Sequence, residues 1–410
     1  MGKLKMIADN LVGEIKHIFV PKDKSIVLMG SWFGNRFSDN TRYLYQYLSD
    51  NKETLGLTHV VWVTKSQELQ RDLSDMGYEA YMMDSEESKY YHQKAGIHVI
   101  CNSDNEALAK GADILTRYSN GAIRINLWHG LGGIKGVGYA SKEYLDYKKS
   151  HPVNIAIKDF FRGSRLFRRL VQLPGGWGDA YYLSTTPFET EIFKKYFGLS
   201  NKHFIEAGYP RNEKVIKLRE CEKEVISKIQ SSNKVILYMP TFRVNNAGYV
   251  SPLSDERVLS ILRDNNWLWV EKKHGEDADG MMGKVENQTV LQLDSDFDAN
   301  VLLPHVDMIV TDYSSVSWDA LYHKKPILFY MPDYDYYMNQ DRGFVLGPEE
   351  FIIGPAAYTI EEFAETLQKY REDFLKMLPE NEEAIFKKVW GQETNCASIW
   401  EKIVQKCRIN

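Results

Sequence analysis

A chain of 410 residues exceeds what one hydrophobic core usually organises, and a 43% apolar, 13% aromatic composition belongs to a folded globular protein of two domains. The formal net charge of −5 excludes a general nucleic-acid binder, so attraction to an anionic surface requires a local patch. Cys101, Cys221, Cys396 and Cys407 are scattered without disulfide or metal spacing, which fits reduced thiols in a cytoplasmic protein. No apolar run reaches the roughly 18 residues of a spanning helix, and the N-terminus lacks the pattern of a secretory signal.

Leu4, Ile7, Leu11, Ile15 and Ile18 fall at helical spacing among lysines, which predicts an amphipathic helix. It either packs on its own domain, the commoner case, or lies on an anionic membrane. From Ser25 the chain alternates apolar strand, turn and helix. Strands are predicted at 25–30, 60–63, 78–82, 97–101 and 123–128, with Ser38-Asp39-Asn40 as cap chemistry for a helix through Tyr43, Leu44 and Tyr47. Such alternation predicts a parallel sheet covered by helices on both faces.

Between residues 140 and 177 the alternation lapses. Phe160, Phe161, Phe167 and Leu170 interleave there with Arg162, Arg165, Arg168 and Arg169, a pattern suited to an anionic membrane surface, a solvated helix or a partner-binding face. Alternation resumes with a strand at 181–184, a helix from Pro187 to Phe197 and a strand at 203–207. The Gly208-Tyr209-Pro210-Arg211-Asn212 turn then marks the domain boundary. A second run of strands follows at 235–239, 267–270, 290–293, 308–311 and 327–330, and beyond Thr359 the pattern is helical with breaks near Pro379 and Gly391.

Polar landmarks stand where these strands end, the place where open α/β sheets hold ligands. They are His129, Arg211, Thr241, Arg243, His274 and the Thr311-Asp312-Tyr313-Ser314-Ser315 turn, which runs into a helix carrying Asp319. Serine hydroxyls and free N–H groups at such a turn suit phosphate oxygens, and simple helix capping by one serine suits it equally. No acidic pair shows metal spacing; Asp333 and Asp335 are read as loop residues, no cofactor is identified, and a need for a divalent cation stays open.

Through Leu127-Trp128-His129-Gly130, Gly208–Asn212, Tyr238-Met239-Pro240-Thr241-Phe242-Arg243 and Thr311–Ser315, the chain resembles the CDP-glycerol glycerophosphotransferase family of teichoic acid primases and polymerases. Asp319, Lys325-Pro326, Arg342-Gly343 and Gly354-Pro355 extend the likeness, which runs from about residue 25 to about residue 390. Two departures stand out: Gly275 follows His274 where the family usually has proline, and the basic 140–177 insert is long.

The resemblance implies two Rossmann-like domains facing a cleft in GT-B manner: an acceptor-side domain over 1–207, a donor-nucleotide domain over 208–390 and a final helix over 391–410 crossing back. It further implies transfer of glycerol phosphate from CDP-glycerol to a hydroxyl of a lipid-linked or glycan acceptor at the inner membrane face, releasing CMP. His129 and His274 would be catalytic, the former as base. Arg211, Thr241, Arg243, Thr311, Asp312, Ser314, Ser315 and Asp319 would bind the donor. Three other readings share the motifs: a CDP-ribitol enzyme, a GT-B glycosyltransferase using a nucleotide sugar, and a catalytically silent nucleotide binder.

Overall fold

The computed structural model describes residues 19–104, 110–162, 180–241, 250–272, 289–340 and 343–409, with Ala8, Leu11, Val12, Ile15 and Glu106 besides. The apolar runs of the first half become β1 (Asp23–Met29), β2 (His59–Thr64), β3 (Ala80–Met82), β4 (Ala95–Ile100), β5 (Ile123–Asn126), β6 (Tyr181–Ser184) and β7 (Phe204–Glu206). They pair in parallel in the order β3-β2-β1-β4-β5-β6-β7. The second half supplies β8 (Lys234–Tyr238), β9 (Trp267–Lys272), β10 (Val290–Leu293), β11 (Met308–Thr311), β12 (Ile327–Tyr330) and β13 (Ala356–Ala357), parallel in the order β10-β9-β8-β11-β12-β13.

Val27, Leu28 and Met29, like Ile236 and Leu237, are fully buried although successive side chains point to opposite faces. Helices therefore cover both faces of each sheet, and the strands read as continuous apolar runs rather than alternating ones. The strand order reverses direction at β1/β4 in one sheet and at β8/β11 in the other. Connections leave such a point in opposite directions, so a crevice opens at the carboxyl ends of the strands.

The two halves are joined by more than chain connectivity. One apolar cluster runs from Val27 and Trp62 through Tyr209 to Leu237, Trp318 and Trp390. The Trp390 indole N–H donates to the Trp318 carbonyl at 2.9 Å, its ring meets Tyr209 and Tyr322 edge-on, and Thr185 donates to the Val389 carbonyl. The last helix, Cys396–Cys407, packs against the Asp39–Asp50 helix and β7.

Two sequence readings fall on segments that are only partly described. Of the predicted N-terminal apolar face, Leu11 and Ile15 are exposed, at 47% and 53%, as is Phe19 at 79%, while Leu4, Ile7 and Ile18 lie outside the described residues. The stretch after residue 140 contains two successive helices, Lys142–Ser150 and Pro152–Arg162, with no strand between them, and residues 163–177 of the insert lie outside the described residues. Amphipathic pattern predicted neither outcome alone, because periodicity says which face is apolar and not what covers it. A smaller change concerns Asp335, which lies within the Tyr334–Gln340 helix.

Arg42 of the Asp39–Asp50 helix is wholly buried, and its guanidinium reaches both Glu222 oxygens at 2.5 and 2.7 Å and Asp298 at 3.5 Å. Glu222 and Asp298 both belong to the C-terminal half. Breaking a buried pair on one side leaves an uncompensated charge, so Arg42→Leu should cost about 3–5 kcal/mol of stability. Urea unfolding checks this; a loss below about 1 kcal/mol would show that the pair contributes little to the junction.

Candidate functional site

A cavity of about 450 Å³ lies at the carboxyl ends of both sheets. From the first half it is lined by Trp32, Phe33, Arg36, Ser38 and Asp39 after β1, Asn102 and Lys110 after β4, His129 and Lys135 after β5, and Arg211 after β7. From the second half come Met239, Pro240 and Thr241 after β8, Lys272 at the end of β9, Asp298, Ala299 and Asn300, and the Ser314-Ser315 turn with Asp319 after β11.

His129 follows Trp128, whose backbone takes the left-handed conformation at φ 58°. That strain is held by hydrogen bonds on every side. The Trp128 N–H donates to Asn126, and the buried Asn40 amide donates to the Leu127 and Trp128 carbonyls at 3.1 and 2.9 Å. Downstream, the Gly132 N–H donates to Glu189 and the Gly133 N–H to the Tyr196 hydroxyl. Glu189 also accepts from Tyr209 at 2.6 Å, and burial pushes its carboxyl up to about 7.

The His129 ring packs on Trp128 and edge-on to Trp32. Its Nδ1 lies 3.0 Å from the Cys101 carbonyl. A carbonyl only accepts, so Nδ1 carries the hydrogen, and the lone pair of the neutral ring is on Nε2. Burial lowers the ring's pKa below its ordinary 6.5 and so favours the neutral ring, against the opposing pull of Asp39.

The serine turn separates into two functions. Ser314 Oγ faces the Val316 N–H at 3.4 Å, in the manner of a cap, and its carbonyl accepts from Ser317. Ser315, at the cap position of the Val316–Tyr322 helix, makes no capping bond with its side chain. Ser315 also marks where the two halves touch: a Cβ on Gly130 would collide with Ser315 Oγ. The residue after His129 is therefore glycine for reasons of close approach.

Four of the sequence-predicted ligands are committed inside the fold. Arg211 is buried, its fork donating to both Asp319 oxygens at 2.9 Å and to Asp39 at 3.0 Å. Thr311 donates to the Met239 carbonyl at 2.8 Å, and Asp312 accepts from the Thr241 N–H at 2.9 Å. Asp319, likewise, is filled by Arg211, and burial pushes its carboxyl up to about 6. Each braces the loops that line the cavity. Asp333 accepts from the Tyr313 hydroxyl, and among the described residues no three His, Cys, Asp or Glu side chains are grouped to hold a metal ion.

Arg243 and His274 lie outside the described residues, as do Arg165, Phe167, Arg168 and Arg169; Phe160, Phe161 and Arg162 are described only as the end of a helix. Asn40, Glu189, Arg36 and Lys272 were not singled out as site residues from sequence. Asn40 had a signal, the cap chemistry before its helix; the others read as ordinary helix, loop and strand-end residues.

Residues 14–395 match the family described as CDP-glycerol:poly(glycerophosphate) glycerophosphotransferase. The chain is 25% identical over 334 residues to a teichoic acid poly(glycerol phosphate) polymerase of Bacillus spizizenii, covering 79% of this chain and 78% of that one. It is 25% identical over 361 residues to a teichoic acid glycerol-phosphate transferase of Staphylococcus aureus, covering 83% of each. Among solved structures, the wall teichoic acid polymerase TagF soaked with CDPG superposes with a TM-score of 0.70 at 20% identity, over 98% of this chain and 94% of that one. At that identity the likeness shows the fold alone.

The contact of the two turns is testable by a double-mutant cycle. Gly130→Ala should destabilise the protein by about 1–3 kcal/mol through overpacking, and Ser315→Ala in the same chain should recover about 0.5–2 kcal/mol. Strictly additive effects in thermal unfolding would mean that the turns do not meet.

Proposed function

The chain belongs to the CDP-glycerol:poly(glycerophosphate) glycerophosphotransferase family, and from that premise we propose that it transfers glycerol phosphate from CDP-glycerol to a hydroxyl of a glycan or lipid-linked acceptor, releasing CMP in teichoic acid or capsule-type synthesis. The observation that carries this reading is the convergence of a neutral histidine and an uncapped serine hydroxyl from opposite halves on one cavity. In this reading the halves are the acceptor-side (1–207) and donor-side (208–390) domains of a GT-B arrangement, with residues 391–410 crossing back.

The acceptor oxygen attacks the phosphorus that bears glycerol. An O–P bond forms, the P–O bond to the CMP phosphate breaks, and CMP departs with the bonding pair. An alcohol is a weak nucleophile at neutral pH, so His129 Nε2 takes its proton; positioned bases of this kind contribute about 10²–10⁴-fold. Ser315 donates to phosphate oxygens on which charge gathers, where a fixed donor in a partly desolvated cleft is worth more than water. Arg243 and His274 complete the donor side, a role carried from sequence alone.

Arg211 is here a strut rather than a donor ligand. Freeing its fork would strip Asp39 and Asp319 of their buried counter-charge, and that costs more than a phosphate contact returns. Its backbone N–H donates to Asn40 Oδ1, so the strut and the His129 turn share one amide side chain.

His129→Ala should lower turnover at least about a hundredfold with CDP-glycerol affinity nearly intact, as when a proton acceptor of the transition state is lost. The wild-type pH profile should carry the sign of a depressed histidine. Because the neutral base persists below the ordinary pKa, kcat/KM should hold as pH falls through the ordinary histidine pKa and decline only below it. Release of CMP measured across pH checks both; an undiminished His129→Ala rate, or a fall beginning above pH 7, would contradict the assignment.

A surface attachment completes the reading. No described helix is long and apolar enough to cross a membrane. The Lys142–Arg162 helices nevertheless expose Leu145, Val153 at 70% and Ile157 at 54% beside Lys142, Lys148 and Lys149, and the N-terminal segment exposes Leu11, Val12, Ile15 and Phe19. Apolar insertion beside cations that each contribute about 1 kcal/mol at an anionic leaflet suits peripheral binding at an inner membrane face. Co-sedimentation with anionic vesicles should be salt-sensitive and should drop at least about tenfold in Val153→Asp/Ile157→Asp, while CMP release with a soluble acceptor survives. Wild-type protein that ignores such vesicles at low salt would contradict it.

A further inference from the structure

With Arg211 committed to Asp39 and Asp319, the cleft has other cations for an anion. Arg36, from the loop after β1, and Lys272, the last residue of β9, line the cavity from opposite halves. Among the described residues neither side chain makes a hydrogen bond or an ion pair.

Both are largely withdrawn from water. Burial, and next the charge of Arg36, pulls the Lys272 ammonium down to about 8, while burial also lowers the Arg36 guanidinium. Two like charges withdrawn from water without an ion pair cost free energy, and a fold retains such an arrangement where a ligand of opposite charge removes the cost. The carboxylates nearest them, Asp39, Asp298 and Asp296, favour both charges but reach neither with a hydrogen bond or an ion pair. Asp39 is held by Arg211 and the Asn40 N–H; Asp298 is held by Arg42, Asn300 and the Asp39 N–H; Asp296 is exposed.

The placement of Arg36 rests on backbone strain. Trp32 and Phe33 both take left-handed conformations, with φ of 43° and 62°, in non-glycine residues that ordinarily avoid them. The Phe33 N–H donates to Asp113 at 2.8 Å, and that buried carboxylate also accepts from the N–H groups of Cys101, Asn102 and Ser103. The kinked loop presents the Trp32 ring to His129, and Arg36 stacks on that ring 5.0 Å from its centre. Trp32 thus sets a guanidinium next to the base.

We propose that Arg36 and Lys272 form a two-armed clamp for a phosphate group, one arm from each half of the molecule, beside His129 and in addition to the serine turn. The phosphate is either the diphosphate of the donor or a phosphodiester at the end of the acceptor; only this identification rests on the proposed glycerophosphotransfer. An acceptor source would make the protein an extender of chains that already end in glycerol phosphate. A donor source would leave the acceptor's charge unspecified.

The test is calorimetry on the full chain with inorganic pyrophosphate, CDP-glycerol, cytidine and a soluble glycerol-phosphate oligomer. Arg36→Gln and Lys272→Gln should each weaken pyrophosphate binding about tenfold to a hundredfold, the scale of a lost charge-assisted hydrogen bond, with cytidine binding unchanged and Arg36→Lys within about threefold of wild type. A matching loss for CDP-glycerol and not the oligomer assigns the phosphate to the donor; the reverse assigns it to the acceptor. Ligand-free Lys272→Gln should melt at or above the wild-type temperature, since a buried charge and its repulsion by Arg36 have been removed. Unchanged affinity for all three phosphate ligands in the double variant, or a clearly lower melting temperature in Lys272→Gln, overturns the clamp. Wild-type protein that binds pyrophosphate but releases no CMP from CDP-glycerol overturns the proposed reaction and leaves the clamp standing.

Discussion

The arrangement depends on one buried arginine. Arg211 leaves β7 at the end of the first sheet and spends its fork on Asp319, in the helix behind the serine turn 108 residues later, and on Asp39, at the start of the helix after β1. Guanidinium and carboxylate are planar and match in two parallel hydrogen bonds, so the contact fixes orientation as well as distance. Buried ion pairs are weak evidence for stability, because desolvation offsets much of the attraction. Their use here is registry: the carboxyl ends of two sheets are held face to face at one separation.

From that junction a short chain of hydrogen bonds leads to the histidine. The Arg211 N–H reaches Asn40, and Asn40 holds the two carbonyls that precede His129. Glu189 and Tyr196 hold the turn from the other side. In the proposed reaction His129 is a general base, which has to stand within hydrogen-bond reach of the proton it removes, and an error of an ångström is costly in rate. The strained Trp128 backbone is consistent with that demand: the local conformation is unfavourable, and surrounding bonds impose it.

The sheets were legible because buried parallel strands leave uninterrupted apolar runs, and the His129 and Ser314-Ser315 turns because each ends such a run. Function class was legible only through several motifs in one order. Arg211 shows where the reading stopped. An arginine after a strand and a Gly-Tyr-Pro turn has the same local pattern whether it meets a phosphate or a carboxylate, and its partners lie far off in sequence. Arg36 and Lys272 carried no signal: one sits in a loop whose importance comes from left-handed Trp32 and Phe33, the other ends β9 in a charged Glu271-Lys272-Lys273 run. The exposed Leu11 and Ile15 show a related limit, since an apolar stripe does not name its cover.

A cleft built in this way predicts where the reacting phosphorus sits relative to groups from both halves. The most direct measurement is a crystal structure of the His129→Asn protein with CDP-glycerol. The account predicts a diphosphate between residue 129 and Ser315, with the Arg211 fork still on Asp39 and Asp319. A diphosphate seated away from residue 129, or an Arg211 that has left its carboxylates to bind it, would contradict the account.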